Sequence, residues 1–197
     1  MAKLLVVRHA AVRVDYAVPP ARWELSEPGR RRTRELAKNA PWQGIVRIYH
    51  SAERKAVATA AILSHDTGIA TVCAPGLGEL TMPLIPARAE FIRRMERYLA
   101  GTDEEEFESW SAATRRIVHC VEDIVAESPG QSVAIVSHGR ILTVFYSHLL
   151  RRRLNVADWQ SIALPDWSIV DTTTWTVERG FLAGGQSVTG KNRTISH

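Results

Sequence analysis

The sequence predicts an α/β fold built on a mostly parallel sheet wrapped by helices. Aliphatic runs recur at residues 3–7, 44–50, 69–74 and 132–138, each unbroken rather than alternating, as in strands covered on both faces. Helical segments separate the first three runs, and strand-helix-strand alternation favours parallel strands joined by crossovers. The 197-residue chain, 45% hydrophobic and 23% charged, is long enough to bury a full core as one domain.

Taken in order, "LLVV" is a buried strand that runs straight into Arg8 and His9. "LSEPGRRRTRELAKNA" is a helix capped by Ser26, with Pro28 in its first turn and Leu36 and Ala37 facing inward. "GIVRIYH" is the next strand. "SAERKAVATAAILSHDTG" is an alanine-rich helix with Ser51 as its expected cap and Gly68 as its stop. "IATVCA" has the character of another central strand. Pro83-Leu84-Ile85-Pro86 breaks the rhythm and opens a helical insertion around 84–128. One helix there puts Phe91, Met95, Tyr98 and Leu99 near one face. A second, over about 107–126, carries Trp110, Ile117, Val121 and Ile124 as its apolar stripe. "SVAIVSH" is a strand, "SHGRILTVFYSHLL" a helix, and 154–158 a linker. The β-branched alternation of "SIVDTTTWTVERG" predicts a closing hairpin or pair of edge strands. A single domain is expected over 1–183, followed by a polar, glycine-rich tail at 184–197.

Composition narrows the function. No apolar run reaches the length of about 18 residues that spans a membrane, and no signal-peptide flanks surround "LLVV", so a cytoplasmic protein without membrane contact is expected. Cys73 and Cys120 lie far apart and read as reduced, semi-buried packing residues. His119, His148 and His197 stand away from any ligand spacing, so neither metal nor cofactor is expected. The formal charge of +4 suits an anionic ligand. The basic runs at 29–34 and 149–154 do not argue for nucleic acid, because neighbouring arginines on a helix point in different directions and no aromatics interleave them. For Trp159, Trp167 and Trp175 the expectation is burial in the core, with a homodimer edge as the alternative.

The chemistry gathers at strand ends, where open α/β sheets bind their ligands. Val7-Arg8-His9 closes one apolar strand and Val136-Ser137-His138-Gly139 another, which puts two histidines in equivalent places. A neutral imidazole can attack phosphorus and form a phosphohistidine, splitting one hard displacement into two easier ones. Cations and donors must then surround the phosphoryl oxygens; Arg8, His138 and the start of the helix near Ser51 are candidates. A general acid is needed as well. Glu79 in "GLGELTM" sits among Leu77, Leu80 and Met82, surroundings expected to raise a carboxyl pKa by desolvation.

These residues resemble the histidine phosphatase superfamily, the phosphoglycerate mutase-like group. "LVVRHA", "YHSAERKAVATAAIL", "LGEL" and "AIVSHGRIL" follow the family's order across most of the chain. The resemblance implies a three-layer α/β sandwich in which His9 is the phospho-accepting nucleophile and Arg8 holds the phosphate. It implies further that Glu79 donates the proton and later activates water, and that His138 is the second histidine of the phosphate pocket. Lys55 stands where the family usually has an arginine, and Ser51 and Thr59 also fall on family positions. Ala10 replaces the usual glycine after the first histidine, and an expected asparagine is missing, for which Arg13 is a candidate substitute.

With only a modest, mixed-charge insertion, the resemblance implies a phosphatase acting on a small phosphorylated molecule rather than a phosphoglycerate mutase-type phosphotransferase. A phosphate-binding pseudoenzyme is the further alternative, because of Ala10 and Lys55. Arg13, Tyr16, Arg22, Trp23, Arg88, Arg140 and Trp110 are the candidates for substrate selection, with Arg13 and Arg140 placed to meet a second anionic group.

Overall fold

The computed structural model describes residues 1–181. The domain end expected at 183 and the tail from 184 lie outside the described residues. The chain runs β1 (Lys3–Arg8), α1 (Glu27–Asn39), β2 (Ile45–His50), α2 (Arg54–Thr67), β3 (Thr71–Cys73), α3 (Arg88–Ala100), α4 (Trp110–Ala126), β4 (Ser132–Ser137), α5 (Gly139–Leu149), α6 (Val156–Ser161), β5 (Asp166–Asp171) and β6 (Val177–Arg179). Short 3-10 turns lie at Pro20–Arg22 and Pro75–Leu77.

The six strands form one sheet in the order β3-β2-β4-β1-β5-β6. Pairing is parallel from β3 through β1 and antiparallel for β5 and β6, which form the expected closing hairpin. Successive residues of a strand face opposite sides, and β1 and β4 show it directly. Leu4, Val6, Val133 and Ile135 join the core beneath α3, α4 and α5, whereas Leu5, Val7, Ala134 and Val136 join the core beneath α1 and α2. Two covered faces explain the unbroken aliphatic runs.

Several local expectations are met for the reasons given. Ser26 caps α1 by accepting from the Gly29 N–H at 3.1 Å, and Gly68 ends α2 in the left-handed conformation. Gly29 also permits a close approach: a Cβ there would lie 2.2 Å from the Ala11 carbonyl oxygen, so α1 packs directly on the loop after β1.

Others are corrected. β3 is an edge strand whose three residues are exposed, not a central one, and Cys73 is exposed with it. Its apolar character comes from a short segment paired on one side only. The second insertion helix begins at Trp110, capped by Ser109, rather than near 107. Residues 154–158 are not a linker: Asn155 and Asp158 form a reciprocal capping box that starts α6. Ser51 does not cap α2, whose N-cap is Glu53 without a side-chain cap bond.

Trp159, Trp167 and Trp175 are each half-buried rather than sealed in the core. Trp159 packs edge-on against Phe91, and the Arg179 guanidinium lies over Trp167. Among the described residues, no helix is long and apolar enough to cross a membrane.

Candidate active site

Register brings the two histidines together. Arg8 of β1 pairs with Ser137 of β4, and the His9 N–H donates to the Ser137 carbonyl at 2.9 Å, so the residue after each strand emerges at the same level. The His9 and His138 rings stand 5.0 Å apart. On the other side of β4, the Ser51 N–H donates to the Val136 carbonyl at 3.2 Å, which aligns a third strand end. Ser51 Oγ lies 2.6 Å from His138 Nε2, so this buried serine orients the second histidine.

His9 Nδ1 is 2.8 Å from the Ala10 carbonyl oxygen. A carbonyl only accepts, so Nδ1 carries the proton and Nε2 keeps its lone pair. Burial, then the neighbouring His138, Lys55 and Arg8, hold the imidazole well below the ordinary histidine value of 6.5, against the bond to Ala10. The ring is therefore neutral and nucleophilic at neutral pH. Burial likewise lowers His138 to about 3; Glu79 opposes the shift, and Lys55, Arg140 and Arg8 add to it.

Ala10 is fully buried and its N–H donates to Thr59 Oγ1 at 3.1 Å. It is not among the described residues with positive φ, so the backbone there accommodates a Cβ. Arg8 donates from Nη1 to the Ile162 carbonyl, and its buried Nε has no hydrogen-bond partner among the described residues. Burial lowers the Arg8 pKa to about 10, which leaves it charged at neutral pH. Gly139 makes room for it, since a Cβ at 139 would sit 2.7 Å from the Arg8 Cζ. Lys55 is buried and donates to the Pro20 carbonyl at 3.0 Å and to Glu53.

Glu79 corrects an expectation. Burial does push its carboxyl up, but Arg140, His138, the Leu80 N–H and Lys55 outweigh burial and hold it well below the usual carboxylate range. The geometry explains why. Oε1 accepts from the N–H groups of Leu80 and Ile141, both at 2.9 Å, while Oε2 lies 3.0 Å from Arg140 Nε and 3.4 Å from the Arg140 N–H. The helix N-terminus that meets a carboxylate here is that of α5.

The loop carrying Glu79 is fastened from below. Ser137 Oγ donates to the Leu77 carbonyl at 2.8 Å, and Arg116 of α4 donates to the carbonyls of Gly76, Gly78 and Glu79 while pairing with Glu108.

A cavity of about 550 Å³ opens over these groups, lined at one end by Arg8, His9, Glu53, Lys55, Glu79 and Arg140. Tyr16, Trp23 and Arg88 also line it. Arg13 and Arg22 are exposed and do not line it; the Arg13 N–H instead pairs with the Glu24 carbonyl. Trp110 packs against Tyr98, away from the cavity, with Arg153 over its ring.

The sequence reading missed Glu53 and Arg116. Glu53 pairs with Lys55, accepts from the Glu79 N–H at 2.8 Å and lies 3.5 Å from His138 Nε2. Its only signal is a carboxylate two residues before the lysine. Arg116 gives none, because its targets are backbone carbonyls in a distant loop.

A mostly parallel sheet whose strand ends gather two histidines, a buried lysine, a half-buried arginine and a hydrogen-bonded carboxylate defines an α/β protein with its site at that edge of the sheet. The chain belongs to the histidine phosphatase superfamily (branch 1), whose family model matches residues 4–180. The architecture matches solved structures at high coverage and low identity. YhfR of Bacillus stearothermophilus superimposes with a TM-score of 0.76 at 21% identity, covering 96% of this chain and 98% of its own. A mycobacterial glucosyl-3-phosphoglycerate phosphatase with inorganic phosphate gives 0.73 at 22% identity, covering 95% and 100%. A phosphoserine phosphatase from Entamoeba histolytica gives 0.66 at 17% identity, covering 90% and 94%. No curated protein sequence matches the chain.

Proposed function

We propose that this protein hydrolyses a phosphomonoester of a small molecule through a phosphohistidine on His9, without a metal. The observation that carries this reading is the His9–His138 pair, 5.0 Å apart at two aligned strand ends, beside a half-buried Arg8 whose buried Nε has no partner among the described residues.

In the first step the His9 Nε2 lone pair forms the N–P bond as the ester P–O bond breaks. Arg8 and Lys55 line the cavity where charge spreads over the equatorial oxygens, with His138, oriented by Ser51, directly behind His9. The leaving oxygen takes its proton from Glu79. Glu79 is ionised in the empty site; a phosphomonoester entering as its monoanion carries the proton, which passes to Glu79 as the phosphate's like charge nearby raises the carboxyl's affinity for it. In the second step water returns a proton to Glu79 as its oxygen bonds phosphorus and the N–P bond breaks, leaving inorganic phosphate and neutral His9.

Phosphate release from phenyl phosphate with EDTA present, measured beside His9→Ala, tests this. Turnover by the native protein that vanishes in the variant, with a trapped phosphohistidine only in the native chain, supports the mechanism. Loss of activity in EDTA counts against it. A protein that binds a phosphorylated ligand without turnover is the second reading, favoured by one observation: the Glu79 oxygens are already engaged by Leu80, Ile141 and Arg140. Tight phosphate binding without a phosphohistidine selects that reading.

A further inference from the structure

We infer that the substrate's leaving group is an apolar, aromatic-type alcohol rather than a sugar, a glycerate or another polyanion; this rests on the phosphatase reading above. The cavity changes character away from its phosphate end. Two edge-to-face aromatic pairs from separate parts of the chain line it: Tyr16 with Trp23, 6.2 Å apart in the loop between β1 and α1, and Phe91 of α3 with Trp159 of α6, 5.7 Å apart. The Trp23 indole N–H is engaged by the Asp15 carbonyl at 2.7 Å, which leaves its ring as hydrocarbon surface.

Leu84 and Ile85 add aliphatic surface between two prolines, on a segment whose backbone is stiffened by them. Tyr16 is 60% exposed and Leu84 42%, so apolar surface remains uncovered at the cavity mouth until something fills it. Such a concave apolar wall beside a few convergent polar groups is the pattern of a small-molecule site.

The charges do not suit a polyanion. Arg13 and Arg22 lie outside the lining, and Arg140 is held by Glu79 while it stacks over Phe91 at 5.6 Å. Among the described residues, Arg88 is the charged side chain of the lining beyond the phosphate end. Arg88, Thr81 and the Tyr16 hydroxyl are the polar partners this wall offers, too few for the hydroxyls of a sugar, which would lose more water against these rings than the lining replaces. A ring seated there loses only unfavourable hydration and gains stacking.

The test compares kcat/KM for phenethyl phosphate, glycerol phosphate and phosphoglycerate, alkyl esters of comparable chemistry that differ in what the cavity must accept. Phenethyl phosphate is expected to be preferred by roughly 10- to 50-fold, mostly through a lower KM, from the area one phenyl ring buries. Trp23→Ala brings the ratio toward unity. Leu84→Glu, at the exposed mouth where folding is not at stake, does the same by placing charge against the ring. Turnover with equal rates, or with glycerol phosphate or phosphoglycerate preferred, overturns the inference and leaves the phosphatase reading intact. Hydrolysis of none of the three, with no phosphohistidine trapped, overturns both.

Discussion

The Glu79 carboxylate sits 3.0 Å from the Arg140 guanidinium, the largest of the influences that hold the carboxyl down against burial. Arg140→Gln is therefore expected to raise the Glu79 pKa, so that the group stays protonated to higher pH. The alkaline limb of the kcat profile should move up by about one pH unit. A limb that stays in place would remove Glu79 from the proton transfer.

Glu53 places a negative charge against the phosphate end and occupies Lys55. Glu53→Gln keeps an acceptor for the Glu79 N–H but removes that charge. Inorganic phosphate should then inhibit about tenfold more tightly, the scale of one unit charge a few ångströms away in a partly screened site. Unchanged or weaker inhibition would mean that Glu53 only positions Lys55.

Gly139 is needed for the Arg8 side chain rather than for its own backbone angles. A Cβ there meets Arg8 Cζ at 2.7 Å and Nε at 2.9 Å. Gly139→Ala should push the guanidinium aside and lower kcat/KM about 100-fold, the cost of misplacing a positioning group, while circular dichroism shows the fold retained. Full activity would mean that Arg8 has another path into the site.

The site histidines His9 and His138 also predict a stability profile. Both have folded pKa values below 6.5, so below that pH the unfolded chain binds protons that the native chain refuses. Stability is full above the unfolded histidine value and falls as pH drops through it, by up to about 1.4 kcal/mol per pH unit for each histidine. For His138 the loss continues toward about pH 3. Thermal melting from neutral to mildly acidic pH should show this fall, and His138→Gln should flatten it. A flat native profile would mean that the unfolded state also keeps these rings neutral.

Much of this was legible before any coordinates. The aliphatic runs marked the strands because burial on both faces leaves no place for polar residues. Ser26 and Gly68 marked helix ends because unsatisfied backbone groups demand them. His9 and His138 were recognisable because each directly follows such a run. Two features were not legible: the β3 edge looked central because its edge position depends on distant pairing, and the start of α6 looked like a linker because its capping box was hidden among a few polar residues.

The local physics of the chain determined where most strands and helices form, which residues end them, and that two histidines stand at the ends of apolar runs with a glutamate in the loop after a third. Those properties depend on near neighbours alone. Tertiary structure decided which of them meet and in what charge state. The β1–β4 register sets the His9–His138 spacing, the α5 N-terminus and Arg140 reverse the shift that burial alone would give Glu79, and the packing of α3 and α6 turns Phe91 and Trp159 into a cavity wall. A pKa and a pocket are sums over groups far apart in sequence, so they exist only once the chain has folded.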